Sequence, residues 1–146
     1  MICALTAGLS ESMRLKTRER ELAVLEDALA SLKSAAAYTA GDLYALLSLC
    51  SENAFLRLVR RDGALLPAWE QAAQRFFTYR ADRELASAFI RGYGKTDLEG
   101  QLAYITLFET RTQAALRDAK ANSASKCKLY VALGMFSGTA AALILI

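Results

Sequence analysis

The stretch SESMRLKTRERELAVLEDALASLKSAAA, residues 10–37, decides the fold. Leu15, Leu22, Leu25, Leu29, Leu32 and Ala36 recur in it at spacings of 7, 3, 4, 3 and 4. That is the seam of a helix that packs along its whole length on another helix, and only Arg18 interrupts it. The rest of the chain agrees. Ala and Leu supply 28 and 24 of the 146 residues, Val and Ile only 3 and 5, and there is one proline. Straight-chain and small residues keep their freedom in a helix, whereas the β-branched residues that suit strands are scarce. An all-α fold of one domain follows.

Working outward from that seam, Gly41-Asp42 stops the first helix and restarts the chain. A short helix over 43–50 carries Leu43, Leu46, Leu47 and Cys50 on one face. Ser51 opens a third, with Ala54, Phe55, Leu58 and Val59 as its apolar side and Asp62-Gly63 as its end. Leu66-Pro67 starts a fourth, with Pro in the first turn, where no N–H is needed. Its apolar face is Trp69, Ala72, Ala73, Phe76 and Phe77, which makes Trp69 a core residue. Asp82 starts a fifth, burying Leu85, Phe89 and Ile90, and Gly92 and Gly94 close it. Thr96-Asp97 caps a sixth, whose seam passes through Leu98, Gln101/Leu102, Ile105, Phe108, Thr112, Ala115 and Ala119. About six helices are expected: two long antiparallel ones forming a stalk, and a cap of short ones.

Charge divides the chain. All 33 charged residues lie between Glu11 and Lys128, and residues 129–146, LYVALGMFSGTAAALILI, carry none. A helix of that length is about 27 Å long against a hydrocarbon core of about 30 Å. With Lys126 and Lys128 snorkelling and Tyr130 at the headgroups, 129–146 is expected to be a C-terminal transmembrane helix. Residues 1–9 are uncharged but too few to span. They are expected to be the remnant of an N-terminal membrane helix or an ordinary helix start. Residues 11–20 are net +2, 111–128 net +4 and 21–110 net −3. Basic residues beside apolar ends mark the cytoplasmic side, so 10–128 is expected to be a cytoplasmic helical domain. Gly134 and Gly138 form a GxxxG inside the apolar run, a face that packs closely on another membrane helix. Self-association is one option for it. The rival reading is a soluble regulatory module whose apolar tail docks on itself or in a partner's groove.

Chemistry is sparse. With no histidine the usual general base and the commonest metal ligand are missing. Cys3, Cys50 and Cys127 are too far apart for a CxxC site. Gly92-Tyr93-Gly94-Lys95-Thr96 has the tail of a P-loop, but Phe89 stands where its first glycine belongs and a helix stands where its strand belongs. Basic residues alternate with acidic ones, which argues against nucleic acid. No catalytic residue, cofactor or metal is expected, and the chain is not expected to be an enzyme.

Two stretches carry a resemblance. FIRGYGKTDLEGQLAYI, residues 89–105, places Phe89, Gly94, Asp97, Gln101 and Ile105 in the spacing of the stage III sporulation protein AB family. KLYVALGMFSGTAAALILI resembles that family's ending, and the order of elements agrees over the whole chain. The family begins with an N-terminal membrane helix, where this sequence has only Met1–Leu9. The resemblance implies a helical domain similar to the type II secretion F platform domain. It also implies a place in the mother-cell membrane facing the forespore, within a multi-protein channel and beside a cytoplasmic secretion-type ATPase. Gly94, Asp97 and Gln101, at the expected cap–stalk junction, are the candidate partner-binding or junction residues. For Asp97 an N-cap is the first role expected, and a direct partner contact is the alternative.

Overall fold

A computed structural model describes the backbone of residues 2–39, 43–59 and 63–144, and the surroundings of side chains over 10–39, 43–59, 63–130, 132–133 and 136. Five α-helices account for it: α1 (Ile2–Tyr38), α2 (Leu43–Leu49), α3 (Leu65–Phe76), α4 (Arg80–Gly92) and α5 (Leu98–Ile144). There is no strand among the described residues, and the protein is all-α.

The 37 residues of α1 and 47 of α5 make rods about 55 and 70 Å long. They are antiparallel. Lys126 Nζ meets Glu11 Oε1 at 3.5 Å, the Ser12 hydroxyl meets Cys127 Sγ at 3.5 Å, and Lys33 Nζ donates to Glu109 Oε2 at 2.9 Å. Partners early in α1 thus lie late in α5. Every apolar position of the α1 seam, Leu15 to Ala36, is buried. On α5 the buried line is Ile105, Phe108, Thr112, Leu116, Ala119 and Ser123. The expected seam holds from Ile105 to Thr112 and then runs through Leu116 rather than Ala115. Leu98, in the first turn of α5, is exposed.

The cap lies along the hairpin rather than only at its end. One large core joins Leu25 to Ala36 of α1 with α2, α3, α4 and Ile105 and Phe108 of α5. Trp69 is fully buried at its centre, as its place on the apolar face of α3 predicts. Its ring packs on Phe55 at 5.0 Å and Phe89 at 5.5 Å, and its Nε1 donates to the Ala86 carbonyl at 2.8 Å. A smaller core of Leu22, Leu116 and Ala119 continues down the hairpin.

Two expectations need correction. The third helix is only a single 3₁₀ turn over Leu56–Leu58. Phe55, Leu56 and Val59 are buried there while Ala54 and Leu58 face out, because Asn53, not Ser51, organises the segment. Asn53 Oδ1 accepts from the Phe55 and Leu56 amides, and its Nδ2 donates to the Val24 carbonyl of α1 at 3.0 Å. Asn53 thus satisfies the amides at the start of the turn and ties that start to α1, a side-chain bond to nearby backbone of the kind that competes with regular helix. Second, α4 begins at Arg80, and Asp82 does not cap it, since its carboxylate is taken by Arg18. The helix α1 itself runs without a break from Ile2.

The backbone of α5 continues through Ile144, as the lack of a break after Asp97 predicts. Among the described residues no helix is long and apolar enough to cross a membrane. The expected span 129–146 lies for the most part outside the residues whose side chains are described, and Gly134 and Gly138 are among those outside. Within it, Leu129, Leu133 and Phe136 are exposed.

Candidate functional site

The junction between the cap and α5 is built by the loop from Tyr93 to Asp97. α4 gives way at Tyr93, whose ψ of 144° is extended, and Gly94 follows at φ +82°, a left-handed conformation that costs glycine nothing. A Cβ at Gly94 would meet nothing within 4 Å, so the requirement there is conformational. Asp97 caps α5 by accepting from the Gly100 amide at 3.1 Å, the bond expected of an N-cap residue. Gln101 folds back on the loop: its Nε2 donates to the Thr96 carbonyl at 3.1 Å and its Oε1 accepts from Tyr93 at 3.4 Å.

These bonds shape an open pocket of about 300 Å³. Leu43, Leu65, Leu66 and Ile90 wall it, and Tyr93, Gly94 and Gln101 form its rim. Of the three residues singled out from sequence, the structure brings Gly94 and Gln101 to this pocket. Asp97 does not line it and acts as the helix cap. Leu66 and Leu98, 45% and 42% exposed, leave apolar surface in the two helices that flank it. A cavity with apolar walls and a few amide and hydroxyl groups at its edge suits a protein side chain.

Gly92 and Gly100 belong to the same structure, and sequence reasoning missed their role. A Cβ on Gly92 would overlap the Tyr104 hydroxyl and lie 2.7 Å from Tyr104 Cζ. That hydroxyl bonds the Ala88 and Phe89 carbonyls at 3.1 and 3.2 Å, satisfying the end of α4. Burial raises the Tyr104 pKa. A Cβ on Gly100 would stand 2.7 Å from Thr96 Oγ1, so Gly100 lets the capping turn close. No pattern in the chain marks either glycine, since each requirement comes from a residue elsewhere in space or one turn back.

On the opposite flank α1 holds the cap through two charges. Asp82, 1% exposed, accepts from Arg18 Nε at 2.8 Å and from a terminal Arg18 nitrogen at 3.0 Å. The guanidinium also lies over the Tyr79 ring at 4.9 Å. The hydrogen bond to Asp82 raises the Arg18 pKa against the opposing effect of burial. One turn further, buried Glu21 accepts from the Thr78 amide and hydroxyl at 2.9 and 2.7 Å. A signal for the first pair existed: Arg18 breaks an apolar seam, and Asp82 shares a helical face with Leu85, Phe89 and Ile90.

Among the described residues no group of three His, Cys, Asp or Glu side chains is placed to hold a metal ion. Fold and site together define an all-helical protein: a long antiparallel hairpin with a docked cap and an apolar pocket at their junction. The chain belongs to the stage III sporulation protein AB family, whose pattern it matches over residues 1–146. No curated protein and no solved structure matches it significantly.

Proposed function

We propose that this chain is a non-enzymatic platform subunit of the sporulation machinery. In this reading residues 129–146 anchor it in the mother-cell membrane facing the forespore, and residues 10–128 stand in the mother-cell cytoplasm. The family's similarity to the type II secretion F domain is carried over as part of this reading. The junction pocket receives an apolar side chain of a secretion-type ATPase or another channel subunit, and transport energy comes from that partner.

Membership of a sporulation family over the whole chain is the observation that carries this reading. Three features support it further: the charge-free tail, the basic stretch 111–128 before it, and the pocket rimmed by Gly94 and Gln101. The test uses Leu66→Asp and Leu98→Asp, which alter exposed positions and should leave the melting temperature unchanged. Co-purification of the chain with the sporulation ATPase from sporulating cells should then be lost. Binding that survives both changes contradicts the junction as the partner surface.

A further inference from the structure

We propose that the groove between the second half of α1 and the segment Leu49–Asn53 receives α5 of a second copy of this chain. The groove has a volume of about 810 Å³ and lies beside the large core, against which two of its lining residues, Ala35 and Cys50, pack. Asp27, Ala30, Ser31, Ser34 and Tyr38 line it from α1 at spacings of 3, 1, 3 and 4, a second helical stripe beside the buried seam. The stripe is about 17 Å long, three turns of a helix. Its floor is alanine and serine, which let another helix approach closely. Tyr38 and Leu49, 93% and 63% exposed, stand as apolar walls. Asp27 and Glu52 are its charged members, and no lysine or arginine lines it among the described residues.

The complementary surface is in the same chain. Thr110, Ala114, Arg117, Ala121 and Ala124 are all exposed on α5 and follow one another at spacings of 4, 3, 4 and 3. This is also a stripe of small residues, here with Arg117 in it and exposed Lys120 beside it. Acid-flanked and base-bearing stripes of similar length and side-chain size meet the demands of close helix packing and of charge. Within one molecule α5 already packs by its other face on the α1 seam, so the helix that enters the groove comes from another molecule. The contact joins unlike surfaces, so copies add head to tail into a ring or an open chain. This inference goes beyond the platform reading and does not depend on it, since it concerns self-association of the purified chain.

The experiment is sedimentation velocity of the full chain in mild detergent over a range of concentration and salt. The unaltered chain should associate, and association should weaken with salt. Asp27→Asn with Glu52→Lys keeps the acceptor for Asn53 and removes the groove's negative charge. This pair, and separately Arg117→Glu with Lys120→Glu, should each weaken association about tenfold or more. The four changes together should restore it. Ala30→Trp fills the groove from an exposed helical position and should abolish association with the helical circular dichroism unchanged. The proposal is overturned if the unaltered chain stays monomeric, if its oligomers survive the charge changes and Ala30→Trp, or if the fourfold variant fails to recover.

Discussion

Removing Arg18 should damage this protein more than removing its partner Asp82. The Asp82 side chain is 2% exposed and the Arg18 side chain 18%. In Arg18→Ala the carboxylate loses both bonds of 2.8 and 3.0 Å in a place water does not reach. Leaving one charge of a buried pair uncompensated costs about 3–5 kcal/mol. In Asp82→Ala the guanidinium keeps the Tyr79 face and has a path to solvent, so the loss is nearer that of charged hydrogen bonds, about 1.5–3 kcal/mol. Arg18→Lys keeps the charge but not the two-pronged geometry and should fall between. Arg18→Leu with Asp82→Leu removes both charges and should be close to neutral or stabilising, as apolar replacements of buried pairs often are. Urea unfolding followed by circular dichroism at 222 nm measures all four. A loss under about 1 kcal/mol for Arg18→Ala, or a double variant as unstable as the worse single one, refutes the reasoning.

Other expectations concern the junction and the groove. Gly92→Ala should cost about 1–3 kcal/mol, because the new methyl must displace Tyr104 from the Ala88 and Phe89 carbonyls. Gly94→Ala meets no atom and should cost only about 1–2 kcal/mol for its left-handed backbone, with Gly94→Asn cheaper; thermal melts rank the three. Asp97→Ala should lose about 0.5–2 kcal/mol while Asp97→Asn keeps most of it, and equal losses would remove Asp97 from its capping role. The Cys50 thiol is raised in pKa by burial and then by the Asp27 charge, so less of it is thiolate in the folded chain than in the unfolded one. Iodoacetamide at pH 8 should label Cys50 more slowly in the folded chain, and Asp27→Asn should narrow that gap; mass spectrometry of the labelled peptide reads it.

Much of the architecture was legible in the order of residues because helix packing repeats. The seam from Leu15 to Ala36 carries its own period, and Trp69 and Phe89 lie on stripes that point one way. What was not legible depends on contacts between distant segments. The segment that reads as a helix is one 3₁₀ turn, and its start is tied by Asn53 to Val24, 29 residues away. Asp82 looks like a helix start until Arg18, 64 residues earlier, is placed against it. Gly92 looks like a terminator and is in fact the seat of Tyr104. At the candidate site the loop Gly94–Asp97 was readable from its turn and capping residues. The pocket was not, because Leu43 and Leu65 come to it from other helices.

The platform reading rests on residues 129–146 holding the chain in lipid. Its most direct test is a carbonate wash of membranes from sporulating cells expressing the full chain or a version without those residues. The account predicts that the full chain stays in the pellet until detergent is added and that the shortened one is found in the supernatant, still folded. Release of the full chain by carbonate alone would contradict it.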